Sequence, residues 1–285
     1  MDTRFWGPSG WQLLHLIAAT HPDNPEAVYD WIHLIEFILP CKYCRASFHD
    51  YMELQPLTRE IVTSNRFSRW MFDIHNRVNN KLRGQGLLQK SNPSWERINR
   101  YWSKATKQLC KCSLPAQRGW DFFVSVAAAT PDTDYIPAPM PDAPPASDWS
   151  KLTLAQRNRY NLLTREERIT ALKMWWKLIP SILPCEAWRN AWVAAFADAG
   201  EPPVEHGRAA MLRWIWKIEC GVCSGLQCGR PHESLNVLHA EVDAFESSCA
   251  ATIGKKRKTC RAKKRASRAR IRTMRRQRHA DLFSL

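Results

Sequence analysis

Apolar residues recur at helical spacing through the first hundred positions of the chain. Trp11, Leu14 and Ala18 share one helix face. Val28, Trp31, Ile32 and Ile35 share another after the turn His21-Pro22-Asp23-Asn24-Pro25. A third helix is expected to start at Cys41 and to carry Phe48 and Met52. Phe67, Met71, Ile74, Val78 and Leu82 fall at i, i+4, i+7, i+11 and i+15, the stripe of an amphipathic helix. Trp95 and Trp102 follow on a last short helix. No stretch sustains period-two alternation with turn signals, so no strand is expected. The fold class read from this pattern is all-α, opening with a bundle of four or five helices.

The pattern then recurs in worn form. Gly10 to Asp23 aligns without a gap on Gly119 to Asp132, with six identities in fourteen positions. Trp31 to Leu82 aligns on Trp175 to Leu226 with thirteen identities in 52. Among them are Trp31/Trp175, the run Ile38-Leu39-Pro40-Cys41 on Ile182-Leu183-Pro184-Cys185, Arg45/Arg189 and Trp70/Trp214. Average composition gives roughly three or four by chance. Shared helical periodicity alone does not place Trp, Pro and Cys at one offset. The offset changes from 109 to 144, so the second copy carries 35 extra residues between the blocks. A Pro-rich stretch within residues 136–150 lies inside that insertion and reads as a stiff linker or surface excursion. The copy keeps packing residues and loses polar ones. His15 becomes Val124, Cys44 becomes Trp188, and His75, Asn76 and Asn79 become Glu219, Cys220 and Cys223.

Composition adds two points. The chain of 285 residues is 45% hydrophobic with 14 Trp, enough for a sizeable core of packed helices. Its net charge of +15 is concentrated, because residues 254–279 hold 14 Lys and Arg and no acid, while the rest is nearly neutral. Such a run binds phosphate backbones without reading bases, serves as a nuclear address, or is simply a solvated disordered tail. No apolar run approaches the ~20 residues of a membrane span. No apolar leader opens the chain, so a soluble protein made in the cytosol is expected.

Ten cysteines in such a setting point to metal or redox chemistry more than to a structural disulfide framework. Pro40-Cys41-Lys42-Tyr43-Cys44 places a Cys-x-x-Cys pair at the expected start of a helix, where partial positive charge favours thiolate. Alone, the pair could be half a zinc site, a thioredoxin-like motif or two buried thiols. About thirty residues on, His75-Asn76-Arg77-Val78-Asn79-Asn80-Lys81-Leu82 sets His75 and Asn79 four apart on one polar helix face able to hold a cofactor. The chain opens with Trp6-Gly7-Pro8-Ser9-Gly10-Trp11-Gln12-Leu13-Leu14-His15.

These three motifs, in this order over residues 4–102, resemble the Erv/ALR family of FAD-linked sulfhydryl oxidases. The resemblance implies a thiol oxidase in which a substrate dithiol exchanges with Cys41–Cys44, and electrons pass to FAD and then to dioxygen, giving hydrogen peroxide. It assigns Cys44 to the flavin and Cys41 to the incoming mixed disulfide. Carried over residue by residue, the FAD contacts are Trp6, Gly7, Trp11, His15, Cys44, His75, Asn76, Val78, Asn79 and Lys81. An aromatic comes from the last helix, Trp95 in preference to Trp102. Many relatives carry an extra structural disulfide beside the active pair, but residues 50–73 contain no cysteine. Cytosolic enzymes of this type are characteristic of large DNA viruses, which places the protein in host cytoplasm or virion, with nuclear entry through the tail.

Other cysteines fit this picture less sharply. Cys110-Lys111-Cys112 resembles a shuttle used by some relatives to relay electrons to the active pair, or is a static pair. Cys220, Cys223, Cys228 and His232 have spacing near that of a small zinc site, and a disulfide suits Cys220 and Cys223 equally. The expected organisation is a catalytic FAD-binding unit over 1–113, a degenerate Erv-like bundle over 114–250 that binds no flavin and pairs with the first as a pseudo-dimer, and a disordered basic tail over 251–285. Pairing of whole chains would also suit the family. The rival reading is a non-enzymatic virion protein that binds zinc through its cysteine clusters and nucleic acid through its tail.

Overall fold

The computed structural model describes residues 1–20, 22–109 and 118–246. Among the described residues there are helices and no strands. The first copy comprises α1 (Thr3–Ala19), α2 (Pro25–Ile38), α3 (Lys42–Leu54), the short α4 (Arg59–Thr63), α5 (Arg66–Gly84) and α6 (Trp95–Gln108). The second comprises α7 (Trp120–Ala128), the short α8 (Leu154–Arg159), α9 (Arg165–Ile182), α10 (Glu186–Ala199), α11 (Gly207–Gly225) and α12 (Leu235–Ala244). None is long and apolar enough to cross a membrane.

Local chemistry sets the starts of these helices. The Asp2 side chain accepts from Arg4 N–H at 2.9 Å and caps α1. Asn24 caps α2, with Pro25 in the first turn. Thr164 and Glu167 form a reciprocal capping box on α9. Cys41 stands at the N-cap of α3 without a side-chain cap hydrogen bond, so its sulfur is left for other work.

Equivalent residues of the two copies occupy equivalent local structure. Cys41 and Cys185 are both N-caps with extended backbone, at φ/ψ of −128°/118° and −135°/130°. Arg45 Nη1 donates to Leu39 O at 2.6 Å, and Arg189 Nη1 donates to Leu183 O at 2.9 Å. Trp70 Nε1 donates to Gln55 O at 3.0 Å, tying α5 to the end of α3, and Trp214 Nε1 donates to Gly200 O at 2.8 Å, tying α11 to the end of α10.

Equivalent helices also meet each other. Trp31 of α2 stacks on Trp175 of α9, centroids 5.2 Å apart. Between α1 and α7 the contacts are reciprocal. A Cβ on Gly10 would lie 3.3 Å from the Phe122 ring, and a Cβ on Gly119 would lie 3.1 Å from Leu13 Cδ2. Leu13 and Phe122 are partners in the repeat, as are Gly10 and Gly119. Each glycine thus lies against the large side chain that the repeat matches to its counterpart's neighbour. One continuous apolar core runs through both copies.

The Pro-rich insertion does not hang free. Ala138 O accepts from Lys42 Nζ at 3.2 Å and from Asn161 Nδ2 at 2.7 Å. Asn158 Nδ2 donates to Glu36 O at 2.8 Å, and Arg159 pairs with Asp50 at 3.1 Å. The insertion thus straps the outside of α2 and α3, behind the Cys-x-x-Cys pair. Cys110, Cys112 and the basic tail lie outside the described residues.

Candidate functional site

A cavity of about 300 Å³ opens between α1, α3 and α5. Trp6, Gly7 and Trp11 line it from α1, Cys44 from α3, and His75, Val78, Asn79 and Lys81 from α5. These are eight of the residues marked in the sequence. The α5 set follows from helix geometry: 75, 78, 79 and 82 repeat at i, i+3, i+4 and i+7 and share one face. Asn76, one residue beyond His75, is turned about 100° away and does not line the cavity.

His15 stands one layer behind. Its Nε2 is 2.9 Å from His75 Nδ1, so one ring donates and the other accepts. The His75 ring stacks on Trp11, with centroids 4.0 Å apart and planes at 7°. The His15 ring stacks on Trp102, at 5.3 Å and 8°. Burial pushes His15 down to about 3, and burial together with the neighbouring His15 holds His75 well below the usual imidazole range. Both rings are neutral at pH 7, and the stack fixes the cavity wall without bringing charge to it.

Neither Trp95 nor Trp102 lines the cavity. Trp95 meets Phe72 edge-on at 5.4 Å and lies beneath Arg69, on the outer end of α5. Trp102, two turns further along α6, is the indole that reaches the histidine stack. Seven residues keep the two on one side of the helix but separate them by about 10 Å along its axis.

The dithiol is asymmetric. Cys44 is half-buried on the cavity wall, and Cys41 is fully buried behind it. Burial raises the Cys41 pKa, but hydrogen bonds from the Cys44 thiol and backbone N–H, together with the charge of Arg45, outweigh it and bring Cys41 down to about 7. Cys44 is held well above the usual thiol value, first by its hydrogen bond to Cys41 and then by burial. The reduced pair thus loses its first proton at Cys41, with the Cys44 thiol donating to the thiolate so formed.

Arg45 escaped the sequence reading of the site, where it figured only as a repeat identity. It is buried one turn after Cys41, with Nη1 on Leu39 O and Nη2 on Asn161 Oδ1. Asn161 sits at φ 58°, a left-handed position that Asn tolerates better than most residues. The strap therefore positions the cation beside the dithiol. Tyr43, Ser47 and Tyr51, at i, i+4 and i+8 on α3, and Phe122 from α7 also line the cavity and were not foreseen. The α3 trio was readable as a helix face once Cys44 was chosen, but no local signal points to Phe122. Lys81 Nζ is fixed on Ser47 Oγ and, at 3.3 Å, on Tyr43 O.

The cavity suits a flat, partly anionic cofactor. Its walls offer the aromatic faces of Trp6, Trp11, Tyr43 and Phe122, with Lys81 for negative charge, while Arg4 at its edge is paired with Asp2. The indole N–H of Trp6 is buried without a hydrogen-bond partner, which leaves a donor for a bound group.

The second copy has lost this arrangement. Val124 and Trp188, in place of His15 and Cys44, are buried, and Glu219, in place of His75, holds His232. The proposed Cys220–Cys223–Cys228–His232 zinc set is not assembled. The three cysteines are free thiols. Cys220 Sγ accepts from Arg230 Nη1 at 3.2 Å, the Cys223 and Cys228 thiols share a hydrogen bond, and His232 Nδ1 lies 2.6 Å from Glu219 Oε2. Buried Glu219 outcompetes the thiols for the ring because a carboxylate accepts a far stronger hydrogen bond than sulfur. Cys185, the counterpart of Cys41, is disulfide-bonded.

Residues 8–103 match the model of the Erv1 / Alr family. A FAD-linked sulfhydryl oxidase of African swine fever virus (isolate Warthog/Namibia/Wart80/1980) is 40% identical over 83 residues, 27% of this chain and 67% of that protein. Protein 347L of invertebrate iridescent virus 6 is 34% identical over 101 residues, 32% of this chain and 90% of its own. A probable FAD-linked sulfhydryl oxidase of Acanthamoeba polyphaga mimivirus is 34% identical over 85 residues, 28% of this chain and 59% of its own, so only part of that relative is spanned. No solved structure matches the chain. The matched residues carry α1, the Cys-x-x-Cys turn and the α5 face that close the cavity, and on this ground the chain belongs to the Erv1/Alr family.

Proposed function

We propose that the protein is a FAD-dependent thiol oxidase that forms disulfides in protein substrates through Cys41 and Cys44. The observation that carries this reading is the placement of Cys44 on the wall of the cavity formed by Trp6, Trp11, His75, Val78, Asn79 and Lys81. Those residues would hold the flavin nucleotide, with Cys44 as the thiol beside it. Bound FAD supplies the two-electron chemistry, taking electrons from the reduced pair and passing them to dioxygen to give hydrogen peroxide.

The chain's own part is thiol–disulfide exchange. A substrate thiolate attacks Cys41 of the Cys41–Cys44 disulfide, the S–S bond breaks, and Cys44 leaves with the electron pair. The second substrate thiolate then attacks the mixed disulfide and displaces Cys41, which releases the oxidised substrate. Arg45 and the Cys44 thiol stabilise the Cys41 thiolate so produced. Because Cys41 is fully buried, a bulky partner meets it only after local opening. A relay of small reach would suit that geometry.

Cys41→Ser and Cys44→Ser test the reading. Each should bring oxygen consumption with dithiothreitol to background while the protein keeps its flavin absorbance. Wild-type turnover in either variant overturns the assignment. Purified protein that carries zinc and no flavin would favour the non-enzymatic rival.

We also infer that the second copy serves as a built-in partner for the first. The reciprocal Gly10–Phe122 and Gly119–Leu13 approaches support it, as does the entry of Phe122 into the cavity wall. A fold kept without its chemistry then has a use, because it completes the site it no longer contains.

A further inference from the structure

We propose that Asp121, His232 and Glu241 form a binding site for a divalent cation of the zinc class, in the second copy and apart from the flavin cavity. Asp121 stands in the first turn of α7, His232 in the loop between α11 and α12, and Glu241 on α12. One ligand atom from each lies within 4.8 Å of the other two.

The orientation of His232 singles this cluster out from an ordinary group of acids. Its side chain is 1% exposed. Its backbone N–H and Nδ1 are both taken by Glu219, at 2.8 and 2.6 Å, and Glu219 is itself fully buried. With one ring proton held on Nδ1 by Glu219, Nε2 faces the carboxylates of Asp121 and Glu241, where a bound cation would take the place of its proton. Nε2 is buried with no partner at hydrogen-bond geometry, and only a long ion pair to Glu241 reaches it. The nearest Glu241 oxygen is 3.5 Å away, beyond the usual N–H···O range of about 2.7–3.2 Å. Ligands about 2.1 Å from a tetrahedral metal stand about 3.4 Å apart, so the spacing suits two ligands of one ion better than a hydrogen-bonded pair.

The surroundings have the form of a metal site. A carboxylate that accepts the other imidazole N–H is the usual support of a metal-bound histidine, since it fixes the tautomer and raises ligand basicity. One imidazole and two carboxylates suit a borderline cation and leave a coordination position for water. The site also has something to secure. Next after α12 comes Phe245, whose ring stacks on Phe5 of α1 at 5.0 Å and whose carbonyl accepts from Asp2 N–H at 2.8 Å. A cation shared by α7 and α12 would hold this cover over the start of α1, the helix that carries Trp6 and Trp11 to the flavin cavity.

The test uses the full chain, stripped with a chelator and dialysed against micromolar zinc. Three proteins are compared by metal content and thermal unfolding: wild type, the Asp121→Asn/Glu241→Gln double variant, and the Cys220→Ser/Cys223→Ser/Cys228→Ser triple variant. The expected result is one zinc per chain in wild type and in the triple variant. Binding should be weaker by about tenfold or more in the carboxamide variant. Zinc that disappears with the thiols, or persists undiminished in the carboxamide variant, overturns the proposal. Absence of zinc from wild type also overturns it and leaves His232 as an imidazolium between carboxylates. Should the carboxamide variant not fold, cobalt(II) added to the triple variant decides. A visible ligand-field band without thiolate charge transfer supports the site, and no band rejects it.

Discussion

Burial of His15 beside His75 ties the site to pH. In the folded chain His15 is held near 3, whereas an unfolded histidine titrates near 6.5. A depressed folded value contributes stability above the unfolded pKa, and that contribution is lost as pH falls below about 6.5. Between pH 6.5 and 5 the unfolded chain binds a proton at this position that the folded chain refuses. The loss is about 1.4 kcal/mol per pH unit. Urea unfolding of wild type and of His15→Gln at both pH values should show the advantage of wild type shrinking toward pH 5. Parallel curves would mean that His15 titrates freely in the folded state. The sequence marked His15 as a residue of the site, but nothing in it told a charged imidazole from a neutral one. That distinction comes from Trp102 and His75, which exclude water from the ring. Arg45 carries the same lesson. It was visible as a repeat identity, while its effect on Cys41 depends on a carbonyl six residues back and an amide side chain 116 residues ahead.

At the scale of elements, the helices were legible and their contacts were not. The stripe from Phe67 to Leu82 became α5, and the Cys-x-x-Cys turn opened α3, because apolar spacing and caps are local properties. The close approach of α1 to α7 yields a prediction. Gly10→Ala gains about 1 kcal/mol of helix propensity, which offsets part of the overpacking against Phe122, itself worth about 1–3 kcal/mol. A net loss of about 1 kcal/mol is expected. Gly119→Ala has no such offset. Its φ is +108° and its Cβ would meet Leu13 at 3.1 Å, so a loss of about 3 kcal/mol is expected. Denaturant midpoints of the two variants check the order, and a smaller cost at Gly119 would show that the two helices can separate cheaply. The Pro-rich insertion shows how far composition reaches. It predicted a stiff segment at the surface, whereas the hydrogen bonds from Lys42, Asn158 and Asn161 made that segment a strap on α2 and α3.

At the scale of the molecule, one apolar core passes through both copies, so neither half can be expected to behave as an independent domain. The whole chain should bind one FAD, because the second copy has lost His15, Cys44, His75 and Asn79 at the matching positions. Residues 1–113 made alone would expose Trp31, which is fully buried against Trp175, and the α1 face around Gly10. That fragment should self-associate, aggregate or lose flavin on size-exclusion chromatography. A stable, monomeric and fully active fragment would reject the built-in partner.

The sequence by itself determined the all-α class, the positions of the main helices and the family, because these rest on periodicity, capping residues and motifs that act within a few turns of chain. It also determined most of the cavity's α5 wall, since one helix face is fixed by spacing alone. Tertiary structure decided the rest. It set Trp102 on the histidine stack, brought Phe122 into the cavity wall, turned His232 from the cysteines to Glu219, and put Arg45 beside a buried thiol. Each of these outcomes joins residues from different helices or loops, and each depends on which groups share a volume without water. Local pattern carries no information about that volume until the helices have packed.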